Sequence, residues 1–127
     1  MATRAISINR QVSPDGSVVA ATWTGLTQAS LDDGAPMSYP AWGMKTFQVT
    51  GTLGAAGAVT LEGSNDGATW ATLTDKQGVA LVVTTLGLKT TQDGPVFIRP
   101  RITAGDGTTN LTVSVAVRRD GLPENQP

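Results

Sequence analysis

The side chains able to do acid–base or nucleophilic chemistry in this chain are ten carboxylates and nine Lys and Arg, with no cysteine and no histidine. Without histidine the commonest general base and the commonest metal ligand are missing. Without cysteine there are no disulfides, thiolate zinc sites, iron–sulfur clusters or cysteine nucleophiles. Catalysis would need paired carboxylates, a Ser/Thr–Lys pair or a metal, and glycoside hydrolysis needs two carboxyls facing each other across a cleft. Eight of the acids are Asp, and six of those stand in Asp-Gly pairs at Asp15, Asp33, Asp66, Asp93, Asp106 and Asp120. Asp-Gly supplies the positive φ of tight turns, with Asp bonding back to its own backbone, so these acids read as peripheral turns. A calcium loop wants alternating oxygen ligands, as in D-x-[DN]-x-[DN]-G. The closest acids here, Asp32 and Asp33, are adjacent instead. Glu62 falls on the polar face of a strand with no obvious acidic partner, and Lys45, Lys76 and Lys89 lie outside any S-x-x-K motif. The glycines from Gly51 to Gly57 lead into another strand rather than a helix, which makes a hairpin loop and not a phosphate cradle. We expect no enzyme, no cofactor and no metal.

Contact residues are a different matter. Arg99 and Arg101 flank Pro100 and share one face, with Ile98 and Ile102 on the other. Two such arginines can grip an acidic partner bidentately. The plainer alternative is a solvated pair, or one of them bonded to Glu62 on a neighbouring strand. Pro100 cannot donate to a ladder, so its strand is expected at an edge or at a bulge, where another subunit could dock. Of the tryptophans, Trp23 shares its face with Val19 and Ala21 and reads as core, and Trp70 should pack under the Asp66-Gly67 turn. Trp42 lies with Tyr39 in a long loop, 25–43, where exposure or an interface is expected. Residues 1–17 read as an N-terminal arm carrying Arg4 and Arg10, in which Ile6 and Ile8 alternate with Ser7 and Asn9 and could add a strand to a neighbour's sheet. Residues 120–127, with Pro123, read as a tail. The candidate interface is therefore Arg4, Ile6, Ile8, Arg10, Tyr39, Trp42, Arg99 and Arg101.

The elements that must position these residues are strands. Leu111, Val113, Val115 and Val117 alternate with Thr112, Ser114, Ala116 and Arg118, a half-buried strand. Phe47 and Val49 alternate within 45–50, and Val59 and Leu61 in the next run. Segments 18–24, 78–84 and 96–103 complete the set. Asp66-Gly67 predicts a hairpin between 59–63 and 69–73, and Asp106-Gly107 a second between 96–103 and 110–119. Helical periodicity is absent except for one conceivable turn at 28–33. The expected fold is all-β, an antiparallel β-sandwich or small barrel over residues 18–119 with an extended N-terminal arm.

With 127 residues the chain suits one domain and can bury a core without staples. Only 15% of it is charged and the formal charge is −1. Nucleic acid, which requires a clustered basic surface, is not an expected partner. Neither is a membrane: no apolar run approaches about 18 residues, and the first residues lack the apolar stretch of a secretory leader. Few charges suit a surface that neighbours will cover, although a strand-rich composition alone lowers Lys and Glu as well.

The stretch 59–73, V-T-L-E-G-S-N-D-G-A-T-W-A-T-L, together with F-I-R-P-R-I-T at 97–103 and G-D-G-T-T at 105–109, resembles small tailed-bacteriophage virion proteins. In particular it is similar to the capsid decoration, or cement, proteins of that group, over about residues 44–119. Discoidin-like sugar- and lipid-binding domains use a similar Asp-Gly-x-x-Trp hairpin, as a structural turn. The resemblance implies a non-enzymatic sandwich, usually a homotrimer, bound to the major capsid protein on the outer capsid surface of a virion assembled in the bacterial cytoplasm. It implies no catalytic residues. The other readings are a tail- or fibre-associated structural protein, and a carbohydrate-binding module using Trp42 and Tyr39.

Overall fold

Alternation of apolar and polar side chains is carried into two stacked sheets. The computed structural model describes residues 3–9, 18–28, 32–38, 44–93 and 95–118. Its strands are β1 (Thr3–Arg4), β2 (Ile6–Asn9), β3 (Val18–Thr27), β4 (Asp33–Gly34), β5 (Met37–Ser38) and β6 (Met44–Thr52), then β7 (Ala58–Ser64), β8 (Ala71–Thr72), β9 (Val82–Val83), β10 (Gly87–Thr91), β11 (Phe97–Ala104) and β12 (Asn110–Arg118). One sheet runs β1-β4-β11-β7-β8, with β5 also on β11 and β9 also on β7; the second runs β10-β6-β12-β3-β2. This is the expected all-β sandwich, and it is not a closed barrel.

The core lies between the sheets. From the second come Val19, Ala21, Trp23, Leu26, Phe47, Val49 and the four alternating residues of β12; from the first come Val59, Leu61, Ile98 and Ile102. β3 keeps its apolar face inward by a bulge: Trp23 pairs with Val113 and Leu26 with Leu111, one extra residue on β3. Gly25 lies in that bulge at φ 69°, a conformation that a Cβ would strain. The extra residue turns Leu26 back into the core.

Three expectations need correction. Residues 3–9 are extended, but they run along this chain's own sheets. β1 pairs with β4, and β2 pairs with β3 with Ile6 opposite Trp23 and Ile8 opposite Ala21. Both isoleucines pack against the core, which is what their alternation was for. Arg10 lies outside the described residues, as do Tyr39, Trp42 and the tail. Segment 25–43 is not one long loop, since it holds the end of β3 and both β4 and β5, and no helical turn is found in its described part. Finally, Asp106-Gly107 does not close a hairpin. β11 belongs to the first sheet and β12 to the second, so the chain crosses between layers there. Both strands carry an apolar face, and each buries it from its own side of the core.

Candidate functional site

The polar side chains that the fold gathers lie on the outer face of the first sheet. β11 presents Arg99 and Arg101 outward while Ile98, Pro100 and Ile102 point inward and are buried. Antiparallel register sets Arg99 opposite Glu62 on β7 and Arg101 opposite Asp33 on β4. Arg99 Nε donates to Glu62 Oε1 at 3.0 Å, and its Nη1 donates to Asp33 Oδ2 at 3.1 Å. The guanidinium also sits 4.1 Å from the ring centroid of Trp70, a cation–π contact. Arg101 Nε approaches Glu62 Oε2 at 3.5 Å. Two cations and two carboxylates thus tie three strands together and balance in charge.

Pro100 lies in the middle of this arrangement, on an interior strand rather than at the edge or bulge expected; the register shift of β11 falls further on, between Ile102 and Ala104. Ile102 N donates to Asp32 O, so by alternation the imide nitrogen of Pro100 faces the same side. On that side β11 pairs with β4 through Arg101 and with β5 through Phe97 and Ile98. Residues 35 and 36 intervene, so no strand carbonyl waits for the missing N–H. An interruption in the neighbouring strand, not an edge, is how the sheet accommodates proline. Gly34 beside it admits close packing: a Cβ there would lie 2.5 Å from Trp23 Cδ1 and 2.7 Å from Pro100 Cδ. Trp23 is core, as expected, and its Nε1 donates to Ala35 O at 2.8 Å.

A second ion pair joins the N-terminal strand to the same sheet. Arg4 Nη2 lies 2.8 Å from Asp32 Oδ2, which also accepts from Thr27 N and Thr27 Oγ1 at 2.9 Å each. Burial pushes the Asp32 carboxyl upward, but the donors from Thr27 and Arg4 outweigh it and hold the group below its ordinary value.

The Asp66-Gly67 turn behaves as read, and Asp106 bonds back to its own backbone as read but without closing a hairpin. Asp66 Oδ1 accepts from Ala68 N, Thr69 N and Ser64 Oγ, closing the β7–β8 hairpin with Gly67 at φ 77°. These donors hold its carboxyl at about 2. Asp106 Oδ1 accepts from Thr108 Oγ1 and N, and Oδ2 accepts from Ala55 N, which likewise brings its carboxyl to about 2. Asp33-Gly34 departs from the expectation: it is a buried strand, not a turn.

Of the eight expected interface residues, the fold brings Arg4, Arg99 and Arg101 to the first sheet and places Ile6 and Ile8 in the second. Arg99 is occupied within the chain by the pairing with Glu62 that the sequence offered as the plainer alternative. Arg4 and Arg101 keep partly exposed side chains. Sequence reasoning missed Asp32 and Asp33 as arginine partners. Their adjacency within an extended segment was the available signal, because neighbouring strand residues face opposite sides. The arrangement holds strands in register and presents two guanidiniums at their rim.

No known protein family matches the chain, and no curated protein sequence matches it. Among solved structures, the FeII HppE crystal structure superposes at a TM-score of 0.42 with 13% identity, over 88% of this chain and 56% of that one, too low a score to relate the two. A protein titled YomS, derived from the SPBc2 prophage, superposes at a TM-score of 0.53 with 13% identity, over 79% of this chain and 93% of that one. The β-sandwich described above is thus similar in fold to that of a prophage-derived protein over most of both chains.

Proposed function

We propose that this chain is a bacteriophage structural protein without enzymatic activity, and specifically a decoration protein that binds the major capsid protein on the outside of the shell. The observation that carries the reading is the fold shared with a prophage-derived protein across 93% of that protein's length. The site chemistry is compatible with it. The internal ion pairs stiffen a small sheet, and the half-exposed Arg4 and Arg101 offer guanidiniums to an acidic surface. A clamp of this kind gains hold by touching several shell subunits at once, because avidity multiplies modest contacts.

The test is quantitative mass spectrometry of purified particles from a host that produces the chain, followed by rebinding to stripped heads. Copy numbers in the range of the major capsid protein, with rebinding weakened by Arg101→Glu, support a shell protein. A few copies per particle, found only with tails, would point to a tail component instead. Absence from particles overturns the proposal. Because residues 3–9 belong to the sandwich, truncating them would damage the fold and is the wrong variant to use.

A further inference from the structure

Between β8 and the segment that leads into β11 the surface opens into a groove of about 480 Å³. Its two walls are tied together at both ends. At one end Val96 N donates to Asn65 Oδ1 at 3.1 Å. At the other, Thr74 N and Thr74 Oγ1 donate to Asp93 Oδ2 at 2.6 and 2.9 Å, and Gln92 N donates to Thr74 O. Between these ties the walls stand apart for a chemical reason. Pro95 has no N–H to offer β8, and its ring packs on Gly63, where an added Cβ would lie 2.5 Å from Pro95 Cγ.

The groove holds hydrogen-bonding capacity that the fold leaves unused. Leu73 N bonds to Leu61 O and Ala71 pairs with Gly63, so by antiparallel alternation the N–H and C=O of Thr72 face away from β7. That is the side on which Thr74 meets Asp93 and Gln92, and neither Thr72 group has a partner among the described residues. Asn65 spends its Oδ1 on Val96, which leaves both hydrogens of its Nδ2 uncommitted. Asp93 Oδ2 takes three donors, whereas its Oδ1 has none among the described residues. Ala71, Leu73 and Pro95 add apolar surface beside these groups.

We infer that this groove binds a neutral sugar residue. Its lining holds no cation, so a phosphate or sugar acid finds no counter-charge, and no aromatic ring, so a flat base has nothing to stack on. An extended peptide laid along β8 would run into Asp93 and Gln92 at Thr74. A short groove bridged at both ends, with donors and acceptors in its walls, suits a compact ligand whose groups each donate and accept, as hydroxyls do. Asp93 Oδ1 and the Thr72 carbonyl accept from sugar hydroxyls, Asn65 Nδ2 and Thr72 N donate to them, and the apolar residues meet the C–H face. The volume lies within the roughly 300–1,000 Å³ of small-ligand pockets. The site is separate from any contact with a phage shell and stands or falls by itself.

The test titrates the isotope-labelled chain with glucose, galactose, mannose, N-acetylglucosamine, maltose and lactose, followed by amide NMR in a buffer without divalent metal. At least one of these sugars is expected to shift the Thr72 amide and the Asn65 side-chain amide, and glucuronate should bind more weakly than glucose. Two variants keep the bonds of the fold itself. Asn65→Asp retains the acceptor for Val96 N but loses the amide donors, and Thr72→Pro removes an N–H that no ladder bond uses. Each should weaken sugar binding about tenfold, with thermal unfolding as the check on folding. No shift with any of these sugars, shifts confined to another surface, glucuronate binding more tightly than glucose, or unchanged affinity in both variants would each overturn the inference. Uptake of a peptide along β8 in place of sugar refutes it as well. The titration of the unmodified chain is decisive by itself, whether or not the variants fold.

Discussion

Replacing Arg99 by alanine should destabilise this protein more than any other single change on its surface. Arg99 is mostly covered, and the side chains of its partners Asp33 and Glu62 are 5% and 10% exposed. The substitution leaves Asp33 without its cation, and Asp33 Oδ1 is already buried with no hydrogen-bond donor. Glu62 keeps only Arg101 at 3.5 Å. Removing one partner of a buried ion pair costs about 3–5 kcal/mol, because the remaining charge is stranded away from water. The lost contact with Trp70 adds roughly 0.5–1 kcal/mol. A total of about 4 kcal/mol is a large share of the roughly 5–15 kcal/mol that holds a domain folded. For a chain of this size it corresponds to a fall of about 10–20 °C in Tm. Urea unfolding followed by far-UV circular dichroism measures it directly, and an unchanged m-value would show that the unfolded state is not the cause. Charge, not volume, is the origin of the loss. The triple variant Arg99→Met, Asp33→Asn, Glu62→Gln should therefore recover most of it. A loss within 0.5 kcal/mol, the range typical of a solvated surface arginine, would refute the account of this face.

Other outcomes follow from the same structure. Asp66 and Asp106 are held at about 2, below the ordinary carboxylate range, by donors that exist only in the fold. Their stabilising contribution is complete above about pH 4 and is lost as pH falls towards 2, so Asp66→Asn and Asp106→Asn should flatten the acid limb of a stability–pH profile. Gly34→Ala places a Cβ against Trp23 and Pro100 in a packed site; a loss of about 1–3 kcal/mol in thermal unfolding is expected. Thr109→Val removes the hydroxyl that donates to Leu53 O at 2.7 Å and accepts from Asp106 N at 2.9 Å. Leaving those half-buried groups unmet should cost about 1 kcal/mol and raise hydrogen exchange at the crossing between the two sheets.

Much of this molecule is determined by near neighbours in the chain. The two-residue alternation of 110–118 requires a half-buried strand whatever lies beside it, and Ser64, Asp66 and Gly67 close their own turn through bonds spanning two or three residues. Such features are legible because the interacting groups are close in sequence. The destination of each strand is not. Asp106-Gly107 looks like the Asp-Gly of a hairpin, yet it joins two layers, because Asp106 bonds to Ala55 and Thr109 to Leu53, some fifty residues earlier. Pro100 suggests an edge or a bulge from local chemistry alone, and only the break between β4 and β5 reveals how an interior strand tolerates it. The two arginines beside it were visible as a pair, but tertiary packing decided that Arg99 would meet Asp33, sixty-six residues away, and Glu62, thirty-seven away. The sequence by itself thus determined a sandwich-forming, cysteine- and histidine-free chain with strands and turns in place. Tertiary structure alone decided which charges are consumed inside it and which layer each strand joins, because both depend on contacts that exist only after the two sheets have closed on their core.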